Sequence, residues 1–383
     1  MQKIKNSKSL LSKYLTVDLY EKLKNLKTKN WCNLDELIKS NLENPDSWIW
    51  IYAWDSDSYK VFSEIFNPII EDYHNLNWKL SDDNFKHVFD FDTRKLNFEI
   101  PENFDKYIVS TRIRTARNLD NFSFWLNLKN SERNKIEEIF ANIFEKKFCK
   151  RFLLDGKFFN SVKKFFWINK KISWKYFSLK NFSEEEKNNL IKNHFLFKAW
   201  DRFLEAVWLN NDWPNWRWIF FNEDKSFSVR VNEEDELRIV SMQKWWDLKS
   251  VFRDLEFWVK KIEEELFKEK IVWKEGKLEN IVFAKDEKLW YLASCPTNIW
   301  NWIRASVHIK LEKLWKNPDL LEKISDKYFL QIRWEHWEHT EHLENENMIF
   351  DISNKRRLWV SEVECVFDLY NWIKELIIIE EGL

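Results

Sequence analysis

Glycine is almost absent from this chain, which has 3 glycines and 25 tryptophans among 383 residues. An ordinary chain carries roughly 7% glycine, which it needs wherever the backbone turns through positive φ or approaches another group closely. The glycine and tryptophan counts together come to about the usual glycine share. A fold of this length with 3 glycines would be hard to build, so the tryptophan positions need an explanation.

The tryptophans cluster in short runs that lack the helical or alternating spacing of a core. Our hypothesis is that most of them are glycine in the organism, through a UGA codon that is read as glycine. The many Lys, Asn, Ile and Phe residues fit an AT-rich genome. Trp213, in NDWPN, is the candidate for a genuine tryptophan, and the alternative is a protein that is truly rich in tryptophan. The runs are WIW (48–50), WRW (216–218), WW (245–246), WNW (300–302) and WEHW (334–337).

Charge and cysteine content exclude several classes of protein. The chain has 62 Lys+Arg and 63 Asp+Glu, a net charge of −1, which disfavours bulk nucleic-acid binding. With 44% hydrophobic residues it is expected to fold. The 4 cysteines form no CxxC pair, which excludes a disulfide framework and a cysteine-rich zinc site. The start lacks a signal-peptide h-region and no apolar run reaches membrane-spanning length, so we expect a soluble cytoplasmic protein.

Hydrophobic spacing divides the chain into a helical part and a mixed part. Apolar residues recur every three or four positions within residues 1–75, and an irregular stretch with Pro101 follows. Strand-like and helix-like segments then alternate, which predicts an α+β protein with a small all-helical N-terminal domain and a larger C-terminal domain. The larger domain should contain a mostly antiparallel β-sheet flanked by helices. The predicted division is 1–90 for the helical domain, 91–106 for a linker and 107–383 for the catalytic domain.

Arginines on the predicted strands suggest a polyphosphate site. Arg112 and Arg114 are two apart in STRIR, so both project from one face of a strand. Like charges on one face repel unless they share an anion, and guanidinium groups match phosphate oxygens bidentately. Each arginine alone is more commonly a surface charge, but the set is typical of a phosphate clamp. Three more lie on or beside strands: Arg238, Arg304 and Arg333.

Two carboxylates on separate loops could hold a guanidinium between them. Glu234 lies in NEED (232–235) and Glu338 in EHTE, although an acidic run is usually a solvated face. By composition alone, His194 is more often a core histidine and Cys295 a buried, inert cysteine.

Many blocks of the chain, in order, resemble the phosphagen (guanidino) kinase family, and within it the arginine kinases. The segment SWIWIY (47–52) resembles that family's guanidino-specificity loop, with Trp48 and Trp50 on glycine positions. Family glycines in the other blocks are also usually tryptophan here, and Ala116 and His336 depart from common family residues. The loop 342–348 is longer than usual. Those blocks include STRIR, HFLFKAWDRFL, WPNWRWIFFN, NEEDELRIVSMQKWWDL, CPTNIWNWIRASVHIKL, QIRWEHWEHTE and FDISNKRR.

The resemblance implies a role for each matching position. The implied catalytic residues are Glu234, Glu338, Arg238, Arg304 and Arg333. The implied substrate-binding residues are Ser47, Trp48, Ile49, Trp50, Ile51, Tyr52, Glu234, Cys295 and Glu338. A neighbouring cation would favour the thiolate form of Cys295. The implied ATP-binding residues are Ser110, Thr111, Arg112, Ile113, Arg114, His194, Arg238, Arg304, Ala305, Ser306, Val307, His308, Arg333, Trp334, Glu335, His336, Trp337 and Glu338.

The implied reaction is reversible phosphoryl transfer from MgATP to the guanidino nitrogen of L-arginine. Mg²⁺ would be held by ATP phosphates and waters, without a protein ligand cage. The alternatives are a kinase for another guanidino compound or for protein arginine, and a non-catalytic binding protein if the tryptophans are real. Tyr52 and Glu338 favour arginine over creatine. We expect no nucleic-acid or membrane partner, and a monomer or homodimer.

Overall fold

The structure is a computed structural model, and for residues 174, 192, 326, 333 and 334 it describes the backbone only. It describes residues 4, 7, 9–44, 51–76, 79–81, 90–99, 101, 103–149, 174–192, 196, 205–206, 212–222, 224–272, 276–328, 330–334, 349–355 and 357–383.

The first part of the described chain is helical, as the sequence predicts. Its longest helix, Ser63–Tyr73, turns Ile65, Phe66 and Ile69 into the interior at spacings of three and four. Polar residues start the shorter helices: the Thr16 hydroxyl accepts from the Leu19 amide, and Asn33 and Glu36 form a capping box. The helices are α1 (Leu10–Tyr14), α2 (Val17–Leu23), α3 (Leu34–Leu37), α4 (Lys39–Glu43), α5 (Ser58–Val61) and α6 (Ser63–Tyr73).

The second part is built on an eight-stranded sheet in which every neighbouring pair is antiparallel. The order of its strands is β11-β12-β10-β1-β5-β4-β3-β2, and two small two-stranded sheets, β6-β7 and β8-β9, accompany it. The strands are β1 (Ile108–Arg117), β2 (Trp174–Ser178), β3 (Trp218–Asn222), β4 (Phe227–Val231), β5 (Leu237–Lys244), β6 (Lys270–Val272), β7 (Leu278–Asn280), β8 (Lys285–Asp286), β9 (Trp290–Tyr291), β10 (Arg304–Lys310), β11 (Leu330–Trp334) and β12 (Ile349–Asn354).

Helices cover one face of this sheet. Ile113, Ile239 and Val307 point from the central strands into a core that they share with the two longest helices. Because side chains alternate along a strand, the residues between them belong to the other face. This confirms the α+β prediction. The helices are α7 (Phe104–Tyr107), α8 (Asn130–Ala141, continued by a π-helical segment Asn142–Cys149), α9 (Glu184–Lys192), α10 (Leu248–Lys268), α11 (Pro318–Lys327) and α12 (Glu362–Gly382).

The segment between the two parts is anchored by aromatic side chains. Phe91 stacks on Phe252 of α10 with ring centroids 5.2 Å apart, and Phe98 stacks on Tyr370 of α12 at 4.5 Å. The described part of the predicted linker therefore packs against the larger part, while the residue bounds of the two domains stay a prediction.

Left-handed backbone conformations fall mainly on tryptophan. Among the described residues, 11 non-glycine residues have positive φ, and 7 of them are tryptophan. A bulky aromatic residue with positive φ is a genuine outlier, whereas glycine adopts that region without steric cost. This distribution supports the hypothesis that glycine belongs at these positions. The seven are Trp31, Trp216, Trp245, Trp290, Trp300, Trp302 and Trp359.

All 4 cysteines are free. Within the described ranges, no helix is both long enough and apolar enough to cross a bilayer.

Candidate functional site

The polar face of the sheet gathers arginines from several strands. In the antiparallel register Arg114 pairs with Arg304 of β10, so their side chains project from the same face. Arg112 lies two residues from Arg114 on that face, and Arg238 of β5 joins them because it pairs with Ala116. The strand pairing thus brings together four of the arginines that the sequence singles out. We call this surface the arginine face.

A fifth arginine, Arg230, was missed by the sequence analysis. It pairs with Arg238 across β4 and β5 and is therefore on the same face. The available signal was the alternation in SVRV, where Ser228 and Arg230 share one face of a strand and the valines share the other. A lone arginine in such a strand is usually read as a surface charge, but this side chain is only 5% exposed.

Carboxylates hold two of these guanidinium groups. The Arg238 Nη1 lies 2.5 Å from Glu233 Oε1, and its Nη2 lies 3.2 Å from Glu234 Oε2. Arg304 donates from Nη2 to Asp351 Oδ2 at 2.9 Å and from Nε to the Ser353 hydroxyl at 3.0 Å. These charge-assisted contacts fix the direction of each guanidinium plane.

Hydrogen bonds to two other loops fix the loop that carries Glu234. Asp235 accepts from the Ser294 amide at 2.9 Å and from the Asn118 side chain at 2.6 Å. Glu236 accepts from the Leu119 amide at 2.6 Å. Because the two residues that follow it are bonded to two other loops, Glu234 is held at the border of the arginine face.

The electrostatic environment of Glu234 gives it a pKa close to neutrality. Burial raises the pKa of this carboxyl to about 7, and the charge of Asp235 adds to the rise while Arg238 and Arg114 oppose it. Its side chain keeps 14% exposure and can therefore meet a ligand. A carboxyl with such a pKa is suited to exchange a proton with a bound substrate at physiological pH.

The structure corrects the expectation of a Cys295 thiolate. Burial, together with the nearby negative charge of Glu234, raises the pKa of this thiol to about 12. Cys295 lies 1% exposed, and its sulfur is 3.0 Å from the Thr297 hydroxyl. The charged group with the largest effect on it is an acid rather than a cation, so Cys295 is a neutral thiol in this structure.

The helical part reaches the same region through residues 51–59. The Ala53 amide donates to the Ser294 carbonyl at 2.8 Å, and the Tyr59 hydroxyl donates to the Ala293 carbonyl at 2.7 Å. Tyr52 and Ile51, two residues of the implied specificity loop, are buried next to these contacts. The end of that loop is thereby fastened to the segment that carries Cys295.

Several implied ATP-binding residues turn their side chains away from the arginine face. Thr111, Ile113, Ala305 and Val307 alternate with the arginines and lie on the core face, where all four are buried. Their side chains cannot contact a ligand on the opposite face. Ser110, Ser306 and His308 do face it, since Ser306 pairs with Arg112 and the Ser110 hydroxyl lies 3.0 Å from His308 Nδ1.

Other implied site residues lie outside the described residues or are described by backbone alone. Arg333 pairs with Asp351, and Trp334 with Phe350, across β11 and β12. The residues outside the described ranges are Ser47, Trp48, Ile49, Trp50, His194, Glu335, His336, Trp337 and Glu338.

Trp302 packs against one arginine of this site. Its ring centroid is 5.3 Å from the Arg238 guanidinium carbon, and its φ is +55°. The indole is 2% exposed, and its Nε1 is buried without a hydrogen-bond partner among the described residues. An indole here covers a guanidinium that a phosphate would otherwise approach.

The described residues offer no protein cage for a divalent cation. Among them, no group of three or more His, Cys, Asp or Glu side chains is arranged to hold a metal ion. A dication would be repelled by the arginine face on its own, so this site fits Mg²⁺ only as a complex with nucleotide phosphates.

Comparison with protein families matches the chain in two parts. Residues 157–383 match the ATP:guanido phosphotransferase C-terminal catalytic domain, and residues 5–71 match the N-terminal domain of the same family. The N-terminal-domain match covers most of the six helices α1–α6, and the catalytic-domain match covers β2–β12.

Arginine kinases of animals are similar over nearly the whole chain. The arginine kinase of Penaeus japonicus is 37% identical over 376 residues, which is 98% of this chain and 94% of that protein. The arginine kinase of Anthopleura japonica is 37% identical over 375 residues, again 98% of this chain. This chain spans 47% of the Anthopleura protein.

Solved structures of guanidino kinases share the fold. A duplicated taurocyamine kinase from Schistosoma mansoni, with bound transition-state analogue components, superposes with a TM-score of 0.81 at 29% identity. That match covers 99% of this chain and 47% of the other. A lombricine kinase superposes with a TM-score of 0.79 at 29% identity over 98% of this chain and 93% of its own.

Proposed function

Since the chain belongs to the ATP:guanido phosphotransferase family, kinases with a guanidino acceptor, we propose that it catalyses reversible transfer of the ATP γ-phosphoryl group to L-arginine. The products are ADP and phosphoarginine. The observation that carries this proposal is the arginine face, bordered by a carboxyl, Glu234, whose pKa is about 7.

Phosphoryl transfer leaves the protein mainly two tasks, positioning and charge stabilisation. Arg112, Arg114 and Arg304 share a face on which phosphate oxygens can be bound bidentately. Preorganised positive charge of this kind stabilises the charge that develops on the transferring group. The arginines are in place before the substrate arrives, because strand register positions their backbones.

Glu234 supports the proposed role as orienting group and base. A guanidinium is a poor nucleophile because it stays protonated at neutral pH. As its nitrogen bonds to the γ-phosphorus, the phosphorus–oxygen bond to ADP breaks, and one guanidinium proton passes to the Glu234 carboxylate. Glu338 is proposed as the second carboxylate on the guanidinium, as the family resemblance implies.

We propose MgATP as the form of the nucleotide that binds. The magnesium ion neutralises charge on the phosphates when it is bound. The arginine face then needs to hold only the oxygens that the ion leaves available. Cytoplasmic location, where ATP is available, and a monomer or homodimer complete the proposal.

Arginine is the proposed acceptor because the relatives at 37–38% identity are arginine kinases. The solved relatives act on taurocyamine and lombricine, so another guanidino compound is the second candidate, ahead of protein arginine. A non-catalytic binding protein is favoured only if Trp302 is real, because its indole covers Arg238.

A coupled ADP-release assay tests the proposal. We would offer arginine, taurocyamine, lombricine, creatine and an arginine-containing peptide, with MgATP, to the chain with glycine at the left-handed tryptophan positions. Arginine should give the highest kcat/KM, and phosphoarginine should be found by ³¹P NMR. A higher value for another compound would reassign the acceptor, and no transfer to any of them would contradict the proposed activity.

A further inference from the structure

We infer that Arg230 is a positioning residue of the nucleotide site, which shares the charge of Glu233 and so leaves Arg238 available to phosphate. The inference rests on the proposed function, because it assumes that the arginine face binds a nucleotide. Arg230 itself is placed behind Arg238 and is not assigned a contact with the substrate.

The geometry is that of one carboxylate between two guanidinium groups. Arg230 Nη1 lies 3.2 Å from Glu233 Oε1 and 3.1 Å from Oε2, while Arg238 Nη1 lies 2.5 Å from the same Oε1. Arg230 and Arg238 are direct cross-strand partners. The side chains of Arg230 and Glu233 are 5% and 4% exposed, so solvent screens little of this interaction.

The charge count explains why a second arginine is needed. Arg238 contacts two carboxylates, Glu233 and Glu234. If Arg238 were their only cation, one positive charge would face two negative ones, and the excess negative charge would repel a phosphate. Arg230 takes both oxygens of Glu233, and a buried pair needs such additional bonds to offset its desolvation. With Arg230 the two guanidinium charges balance the two carboxylates, so the cluster no longer opposes a phosphate that approaches Arg238.

Other charged groups act on this cluster with both signs. Arg112 adds a positive charge that acts on Arg230, and burial lowers the pKa of Arg230 to about 10. Arg114 and Asp235 act on Glu234 with opposite signs. Arg230 still remains protonated at physiological pH.

Direct measurement of ADP affinity by calorimetry, without turnover, tests the inference on the full chain with glycine at the left-handed tryptophan positions, which is the parent here. Arg230→Met should weaken ADP binding by about tenfold or more, because Glu233 then draws Arg238 away from phosphate. Arg230→Lys keeps the charge and should stay within about threefold of the parent. In the double variant Arg230→Met/Glu233→Gln, the surplus carboxylate is gone, so affinity should return to within about threefold.

The recovery in the double variant separates positioning from a structural role. A residue that only supports the fold would give a double variant at least as weak as the single one, and that result would overturn the inference. So would an Arg230→Met chain that binds ADP like the parent. If that variant does not fold, a tenfold loss in Arg230→Lys would overturn it instead.

Arg133→Met provides a matched control, because Arg133 is a buried arginine on α8 that pairs with Asp212 at 3.2 Å, outside the arginine face. It should lower thermal stability without weakening ADP binding. A parent chain that binds no ADP would overturn both the inference and the proposed function. A parent that binds ADP, with Arg230→Met unchanged, overturns the inference alone.

Discussion

Arg114 and Arg304 are directly opposite each other on neighbouring strands of the central sheet. Like charges at such a cross-strand position are destabilising unless a counter-ion lies between or beside them. Arg304 has a partial one, since its Nη2 is 2.9 Å from Asp351 Oδ2. A polyphosphate would supply the remaining negative charge, so binding and folding stability should be coupled at this pair.

Arg304→Ala should weaken ADP binding and lower turnover. A lost charge-assisted phosphate contact costs on the order of 1.5–3 kcal/mol, roughly ten- to a hundredfold in affinity. Calorimetric titration with ADP measures it. Asp351→Asn is the control, because it removes the ion pair but keeps the arginine, and its ADP affinity should not fall. Wild-type affinity in Arg304→Ala would remove Arg304 from the phosphate site.

The sequence could predict this pair only in part. Alternation in STRIR places Arg112 and Arg114 on one face, and the structure confirms it. The register between two strands cannot be predicted from the sequence of either strand alone. For this reason the pairing of Arg230 with Arg238 was missed. The same limit explains why Thr111, Ile113, Ala305 and Val307 were included in the site although their side chains enter the core.

The ionisation states of site residues were harder to predict from the sequence than their positions in the sheet. The sequence places Cys295 near charged residues but does not show how deeply it is buried or which charge is nearest. In the structure, burial and Glu234 dominate and keep the thiol protonated. Desolvation depends on the packing of distant segments, such as the Tyr59 hydroxyl on the Ala293 carbonyl.

Glu234→Gln should nearly abolish turnover while ADP affinity stays close to that of the parent. The amide keeps the shape of the side chain but cannot accept the guanidinium proton, and loss of a general base costs about 10²- to 10⁴-fold in kcat. Initial rates and ADP calorimetry on the same preparation separate the two effects. Unchanged turnover would exclude Glu234 from the mechanism.

The pH dependence of kcat/KM for the guanidino substrate should have an acid limb near pH 7. Glu234 must be ionised to accept a proton, and its pKa is about 7, so kcat/KM falls as the pH drops below that value. A bound guanidinium favours the ionised form, which moves the corresponding limb of kcat to lower pH. Identical limbs in both profiles would contradict this assignment.

The same pKa sets the sign of a stability effect. Between the ordinary value of 4.5 and about 7, the folded chain binds a proton at Glu234 that the unfolded chain has lost. Parent stability at this site therefore decreases as the pH rises through that window, and Glu234→Gln escapes the decrease. The difference in Tm between Glu234→Gln and the parent should therefore increase from about pH 5 to about pH 8, the approximate limits of that window. A constant difference would contradict the raised pKa.

The chain with glycine at the left-handed tryptophan positions should be more stable than the printed chain, and active. A bulky residue in that region costs about 1–3 kcal/mol per site, whereas a domain is stable by only about 5–15 kcal/mol. Trp300 has the largest positive φ of the seven, +78°, and the indole of Trp302 lies over the Arg238 guanidinium. Glycine there removes the strain and opens the approach to the guanidinium.

Both chains would be expressed and compared by thermal unfolding, ADP calorimetry and arginine-dependent ADP release. We expect the printed chain to be insoluble or inactive and the glycine chain to be soluble and active. Trp213→Gly is the matched control, because Trp213 is absent from the positive-φ residues and its ring lies 5.1 Å from the Arg217 guanidinium carbon. Removing that ring should destabilise the chain, since packing is lost and no strain is relieved. UGG codons at Trp48, Trp50 and Trp300, or equal activity of the two chains, would show that tryptophan is native at these positions.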